Sequence, residues 1–171
     1  GMQARVDSPD PTTVPGVIFV KGDNVMHGYF KNPEATAAAL DKDGWLNTGD
    51  ICTIDRDGYV YLRGRDKNMI LTSSGQNVYP EEIEVILNNM PFVAESVVVD
   101  RGGRIVALVY PDYEAGRKLG FDEIDTEQRV VDNLAPLNKQ LPAYSKVSAI
   151  EIHHDEFEKT PKHSIRRFLY K

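Results

Sequence analysis

Two stretches of the chain decide its interpretation: GWLNTGD at residues 44–50, and GRDK at residues 64–67 with GQNVYPEEIE following at residues 75–84. The first stretch ends in a turn that presents the Asp50 carboxylate, and its glycine lets a ligand approach the backbone closely. The second stretch combines a charged cluster with a glycine loop and a helix start at Pro80, because proline suits the first helical position.

The hydrophobic pattern before residue 67 is typical of β structure. Asp57-Gly58 is a hairpin signal between two apolar runs, and one helix is predicted to begin at Pro33. Residues 1–14 are polar and proline-rich, so we expect a frayed boundary there. The predicted strands are residues 17–22, 51–55 and 59–63. The sequence thus predicts a β-rich subdomain over residues 1–66.

Farther along, the pattern alternates between strands and helices. A helix beginning at Pro80 has one apolar face, and Thr126 can cap a second helix, which Pro136 would kink or end. The predicted elements are strands at 69–71, 93–99, 105–110 and 147–152, and helices at 80–89, 126–141 and 164–170. We therefore expect an α+β domain over residues 67–171, with helices packed on one small sheet.

Composition argues against several classes of function. The net charge is −6, so a nucleic-acid partner is not expected, because binding phosphates requires an excess of Lys and Arg. No apolar run approaches the roughly 18 residues of a membrane span, so no transmembrane segment is predicted. Cys52 is the single cysteine, which favours a reducing, cytoplasmic location. The four histidines show no metal-ligand spacing, and no metal site is predicted.

Taken together, the two stretches resemble the adenylate-forming superfamily, which includes acyl-CoA synthetases, luciferases and the adenylation domains of peptide synthetases. The resemblance extends from Gly16 to about Arg167. It implies a small β-rich N-terminal subdomain followed by a compact α+β lid domain with a small mixed sheet and packed helices. The implied activity is that of an AMP-forming acyl-CoA synthetase, which joins a carboxylate to coenzyme A using ATP and Mg²⁺.

The resemblance also bears on the substrate and on the extent of the chain. Likeness over residues 28–36 and 77–82 favours a long-chain fatty acid as the carboxylate. The superfamily carries a Gly/Ser/Thr-rich phosphate loop far upstream, and nothing similar occurs in these 171 residues. We therefore expect a C-terminal piece that lacks the N-terminal domain of the same chain. Alone, the piece should be inactive, because pyrophosphate would have no cradle.

Two positions are assigned by the resemblance to the nucleotide. Asp50 would bind the ribose, because a carboxylate can accept hydrogen bonds from both hydroxyls. Arg65 would contact ribose oxygens or a phosphate, to which a guanidinium donates strongly. Without the resemblance, an ion pair of Arg65 with Asp57 or Asp66 would be the better interpretation.

Two more positions are assigned to the motion and to coenzyme A. Lys67 would be the hinge about which the lid rotates between an adenylating and a thioester-forming pose, since a hinge needs an exposed residue whose backbone angles can change. Gly75 would line the tunnel for the pantetheine arm of coenzyme A, where bare backbone leaves room for an extended ligand. Both roles come from the resemblance and not from the local sequence.

The resemblance breaks near the C-terminus. The family shows Thr-Pro-x-Gly-Lys-Ile, whose lysine stabilises charge during adenylation, whereas this chain has KTPKHSIRR at residues 159–167. Aligned without gaps, Ser164 occupies the place of that lysine and cannot supply its charge. Lys162 is our first choice for the substitute cation, with Arg166 and Lys159 next, and a merely solvated basic tail is the alternative.

Two other functions remain open from the sequence. The same fold could load the pantetheine of a carrier protein, which an adjoining carrier module with an Asp-Ser attachment site would favour. A C-terminal domain that lacks the lysine could instead be a non-catalytic regulatory or docking module. An upstream phosphate loop in the natural gene would favour an enzyme.

Overall fold

The computed structural model describes all 171 residues, which divide into two units, Gly1–Asn68 and Met69–Lys171. The first unit is built on a four-stranded antiparallel sheet in the order β1-β2-β3-β4. Helix α1 lies between β2 and β3 and begins at Pro33, where the Asn32 side chain caps it by accepting from the backbone N–H of Ala35. The elements are β1 (Gln3–Asp7), β2 (Gly16–Lys21), α1 (Pro33–Ala39), β3 (Leu46–Ile54) and β4 (Val60–Arg65).

The N-terminal residues form a strand, which corrects the expected frayed boundary over residues 1–14. Strand β1 pairs with β2 in continuous register. Its residue Arg5 lies over the rings of Phe19 and Trp45 and forms an ion pair of 3.7 Å with Asp41. Cation–π contacts of this kind stabilise a polar strand that has little apolar surface of its own. The partners are distant in sequence, so the local pattern did not reveal the strand.

The second unit is a three-stranded mixed sheet with helices on it. Its elements are β5 (Ile70–Leu71), β6 (Asn77–Val78), α2 (Pro80–Leu87), β7 (Val93–Asp100), β8 (Ile105–Pro111), α3 (Tyr113–Lys118), α4 (Glu123–Asp132), α5 (Leu134–Gln140) and β9 (Ala149–Ile152). Strand β8 pairs antiparallel with β7 and parallel with β9, while β5 and β6 form a separate hairpin. This is the predicted α+β fold with a small mixed sheet, and the expected fold class is confirmed.

Apolar side chains cover both faces of this sheet. One face packs against helices α2, α4 and α5 through a core that includes Leu87, Val130 and Leu137, each fully buried. The other face packs against the C-terminal segment through Phe157, with Ile165 and Tyr170 partly buried beside it. Burial of these apolar groups on two sides is the main stabilisation available to so small a sheet.

Three details differ from the predicted elements of the second unit. The stretch predicted as one helix over 126–141 is two helices, and the first is capped by Asp122, whose side chain accepts from the N–H of Asp125. Thr126 lies inside that helix, almost fully buried, and its hydroxyl donates to the Asp122 carbonyl. Helix α3 was not predicted, and the predicted 164–170 helix is only a short 3₁₀ turn over Arg167–Leu169.

No helix of this structure is both long enough and apolar enough to cross a membrane. The longest helix, α4, has 10 residues and carries charged side chains.

The contact between α3 and α4 gives a stability prediction. Gly116 is buried, and a methyl group added there would collide with the Thr126 hydroxyl oxygen and lie 3.0 Å from its methyl carbon. We expect Gly116→Ala to lower the free energy of unfolding by about 1–3 kcal/mol, since overpacking costs that much in a close-packed interior. Urea denaturation measures the change. In a Thr126→Ala background the same substitution should cost less, and an equal cost in both backgrounds would contradict the steric explanation.

Candidate functional site

Asp50 and Arg65 are brought together by strand pairing. They are register partners in the antiparallel pair β3–β4, and Nη1 of Arg65 lies 2.6 Å from Oδ1 of Asp50. The ion pair that the sequence suggested for Arg65 with Asp57 or Asp66 is therefore replaced by one with Asp50. Both side chains remain accessible, with 47% of the Arg65 side chain and 33% of the Asp50 side chain exposed.

A local irregularity of β3 presents the Asp50 carboxylate. In the pairing of β2 with β3, Val17 faces Ile51 and Phe19 faces Asn47, so residues 48–50 stand opposite Ile18 alone. A bulge of this kind bends the strand and redirects side chains. The geometry explains why the Thr-Gly-Asp segment departs from the regular strand.

Hydrogen bonds fix the shape of this bulge. The Thr48 hydroxyl donates to the Ile18 carbonyl at 2.8 Å and accepts from the backbone N–H of Asp50 at 3.1 Å. Gly49 has φ +69, and its N–H donates to Oδ1 of Asn47 at 2.9 Å. Glycine adopts this left-handed conformation without steric cost, so the glycine of the motif is explained by the backbone.

The Asp50–Arg65 pair has unused hydrogen-bonding capacity. A carboxylate offers about four lone-pair sites and a guanidinium five N–H donors, and only one contact joins the two groups. The contact with Arg65 uses Oδ1 of Asp50. The pair can therefore accept from ligand hydroxyls through the carboxylate and donate to ligand oxygens through the guanidinium.

The residues of β3 directly after Asp50 are buried. Ile51 and Cys52 follow Asp50 directly and belong to the core of the first unit, with Cys52 fully buried. Burial, assisted by the nearby Asp50 charge, raises the pKa of the Cys52 thiol. Cys52 is therefore a packing residue, and its position anchors the carboxylate that precedes it.

Lys67 lies on the Asp66–Asn68 3₁₀ turn at the end of the first unit and is exposed. Gly75 lies near the tip of the β5–β6 hairpin with φ +78, and a methyl group added there would have no neighbour within 4 Å. The Thr72 hydroxyl holds the hairpin through hydrogen bonds of 3.0 Å to the carbonyl and the N–H of Gln76. The glycine is thus required by its backbone angle and not by crowding, and its surroundings are open.

The C-terminal motif forms a closed loop. Lys159 and Ile165 form an isolated antiparallel bridge, and the N–H of Thr160 donates to the Ser164 carbonyl at 2.8 Å. His163 has φ +58, a conformation that strongly favours glycine, and the resembled motif has glycine at this position. Histidine thus stands where the resembled motif has glycine, at a backbone angle that suits glycine. Ser164 and Lys162 are both exposed on it.

The three candidate cations differ in their partners. Lys159 contacts Glu95 at 2.8 Å and Glu156 at 3.8 Å, and the hydrogen bond to Glu95 raises the pKa of its ammonium group. Arg166 lies 3.5 Å from the Glu158 carboxylate. Lys162 is exposed and forms no ion pair within the chain, so it is the cation of the loop that is available to a ligand.

Sequence reasoning missed one pair, Glu84 and Arg167. From the sequence, Glu84 is an acid near the start of a helix, where the helix dipole favours negative charge. In the structure it is buried and receives a hydrogen bond from the Arg167 guanidinium. A signal was present: residues 80, 83, 84 and 87 share the buried face of helix α2, and a carboxylate on such a face needs a partner.

The chain holds no group of three or more His, Cys, Asp or Glu side chains placed to bind a metal ion.

A β-rich unit followed along the chain by an α+β unit with a small mixed sheet is the architecture of the C-terminal region of adenylate-forming enzymes. The chain belongs to the AMP-binding enzyme family, because residues 67–170 match the model of the AMP-binding enzyme C-terminal domain.

Relatives of known name are similar along the whole chain or part of it. The 4-coumarate–CoA ligase-like 4 of Oryza sativa subsp. japonica is 34% identical over 182 residues, which cover 99% of this chain and 30% of that protein. Indoleacetate–CoA ligase of Aromatoleum aromaticum is 46% identical over 101 residues, which cover 56% of this chain and 19% of that protein. The chain thus spans less than a third of the length of these relatives.

Among solved structures, ATP-bound MatB from Rhodopseudomonas palustris superposes with a TM-score of 0.73 at 32% identity. The match covers 99% of this chain and 33% of that chain. Both units of the present chain thus have counterparts in an ATP-bound protein. The comparison establishes the fold and the family, while the roles of single residues stay predictions.

Proposed function

We propose that this chain is the ribose-binding and lid portion of an AMP-forming acid–CoA ligase. The observation that carries the proposal is the pairing of Asp50 with Arg65, which places an acceptor for ribose hydroxyls beside a donor for ribose or phosphate oxygens. The family of the chain and the ligase names of its relatives support the same activity.

The proposed reaction has two steps. In the first, a carboxylate oxygen of the acid attacks the α-phosphorus of ATP, and pyrophosphate leaves as the acyl-adenylate forms. In the second, the thiol sulfur of coenzyme A attacks the acyl carbon, AMP leaves, and the thiol proton is released. ATP and coenzyme A are therefore substrates. Mg²⁺ would accompany ATP in the complete protein, and no step involving it is assigned to residues of this chain.

We further propose that residues 67–171 are the mobile lid and that Lys67 is its hinge. The separation of the chain into compact units on either side of the Asn68–Met69 bond supports a pivot at this place. In one pose the lid would bring the C-terminal loop with Lys162 to the phosphate. In the other it would bring the Gly75 hairpin, whose tip is open, to the pantetheine arm.

The identity of the acid is a finer proposal. A long-chain fatty acid rests on likeness over residues 28–36 and 77–82, whereas the two relatives described above are named for 4-coumarate and indoleacetate, both aromatic acids. The roles proposed for the site residues concern the nucleotide, the lid motion and coenzyme A, so they do not discriminate between acids. Pyrophosphate release by the complete protein with a panel of fatty and aromatic acids distinguishes the two classes. The 171-residue chain alone should release none.

Asp50 gives the first test of the proposed nucleotide site. Asp50→Ala in the complete protein should remove both ribose hydrogen bonds, at about 1.5 kcal/mol each, and so weaken AMP binding by about two decades. Isothermal calorimetry measures the affinity. Asp57→Ala, in the exposed turn between β3 and β4, is the matched control and should leave it unchanged. An unchanged AMP affinity for Asp50→Ala would refute the assignment.

Lys67 gives a test of the proposed hinge. Proline fixes φ near −65°, so Lys67→Pro should trap one pose and slow one half-reaction more than the other. Pyrophosphate release reports adenylate formation, and thioester formation is measured separately from a supplied acyl-adenylate. Lys67→Ala keeps the backbone free and should affect the two rates similarly. Equal slowing of both steps by Lys67→Pro would argue for a purely structural position.

Lys162 gives a test of the substitute cation. Removing a preorganised charge at such a site costs about 3–4 kcal/mol, so Lys162→Ala should slow adenylate formation by two to three decades on that estimate while sparing thioester formation. Ser164→Ala should have little effect. His163→Gly combined with Ser164→Lys restores the family motif and should rescue the first step in the Lys162→Ala background. If Lys162→Ala leaves the rate of adenylate formation unchanged, the substitute cation must be Arg166 or Lys159 instead.

A further inference from the structure

The loop that carries Lys162 must be held in place by contacts outside the loop. Its own hydrogen bonds close the turn between Thr160 and Ser164, but the loop residues 161–164 are exposed. A cation on a loose loop loses most of its effect, since preorganisation is what makes a fixed charge effective. The contacts that orient the loop are therefore as important as the charge itself.

One buried carboxylate joins three parts of the second unit. Glu84 lies on helix α2 and is 7% exposed. Its Oε1 accepts from the backbone N–H of Val98 in strand β7 at 2.6 Å, and its Oε2 accepts from Nη2 of Arg167. Arg167 follows Ser164 by three residues, so the carboxylate ties the C-terminal side of the loop to the helix and to the sheet.

The other contacts of this segment join it to strand β7 and to itself. On the N-terminal side, Lys159 contacts Glu95 at 2.8 Å. Beyond the loop, the Tyr170 ring packs edge-on against Phe157, and its hydroxyl accepts from the N–H of Glu158 at 2.8 Å. These contacts keep the segment on the sheet, so loss of the Glu84 contact would shift the loop without detaching it.

The side chains of Glu84 and Arg167 are largely buried, so removing their charges from water costs free energy. Desolvation raises the pKa of Glu84, and the Arg167 charge and the Val98 N–H oppose that effect. A well-packed apolar pair is often as stable as a buried ion pair, whereas an ion pair fixes the mutual orientation of its elements. The side chain at position 84 is therefore better explained by orientation than by stability.

We propose that Glu84 and Arg167 form a positioning pair that fixes the Lys162 loop for adenylate formation. The inference rests on the proposed function, because it assigns the loop to the first half-reaction. Helix α2 follows directly after the β5–β6 hairpin that carries Gly75. The pair therefore joins, within the second unit, the loop assigned to adenylation and the helix that adjoins the hairpin assigned to coenzyme A.

The test uses the complete protein with Arg167→Met and Glu84→Gln. A displacement of about 1 Å in a positioned group can cost 10²-fold, so each variant should slow adenylate formation about 10- to 100-fold. Thioester formation from a supplied acyl-adenylate should stay within about threefold, because the Gly75 hairpin keeps its own hydrogen bonds. Arg167→Lys keeps the charge and should recover part of the lost rate.

Lys118→Met is the matched control, since it breaks an exposed ion pair of 2.7 Å with Glu114 in the same unit. It should leave both half-reactions unchanged. Hydrogen exchange gives an independent readout: the amides of Thr160 and His163, protected by hydrogen bonds of the loop, should exchange faster in Arg167→Met than in Lys118→Met.

Parallel losses in both half-reactions and in thermal stability would overturn the proposal, because they would indicate a structural role only. Unchanged adenylation with unchanged loop exchange would overturn it as well. If the unmodified protein forms no acyl-adenylate with any acid of the panel, the proposed function fails, and the exchange rates still decide whether Arg167 holds the loop.

Discussion

The candidate site depends on a mismatch between two strands. Three residues of β3, 48–50, stand opposite the single residue Ile18 of β2, and the Thr48 hydroxyl bonds across the gap. At the end of this bulge, the pairing of β3 with β4 places Asp50 beside Arg65. If β2 and β3 paired without the bulge, the Asp50 side chain would follow the regular alternation between the two faces of the sheet that the buried residues after it set. The bulge therefore gives the carboxylate its exposure, and the buried Cys52 gives it a fixed base.

Much of the fold follows from local signals. The Asp-Gly turn predicted the β3–β4 hairpin, and Pro80 with the spacing of Ile83 and Leu87 predicted helix α2. These signals succeed because turn chemistry and helical periodicity act between residues that are close in sequence. Local signals did not predict strand β1, since it is stabilised by Arg5 stacking on side chains far along the chain.

Among the site residues as well, some follow from local motifs and others depend on partners that are distant in sequence. The motifs selected Asp50 and Arg65, but the residues alone favoured a local partner for the arginine, and only the register of β3 and β4 identifies Asp50 as that partner. The local sequence around Glu84 does not identify its partner, because Arg167 lies 83 positions away. Pairing between distant residues depends on how the elements pack, which no local pattern determines.

The second face of the three-stranded sheet has a practical consequence for where the chain can be shortened. Val97, Val99, Val106 and Leu108 are covered there by Phe157 and by the partly buried Ile165 and Tyr170. Cutting the chain before Phe157 would open a contiguous apolar patch to water, and patches of that kind promote aggregation. The C-terminal segment is thus a solubility element of the second unit as well as the carrier of the loop. An affinity tag or a truncation at this end should therefore leave the residues up to Tyr170 intact.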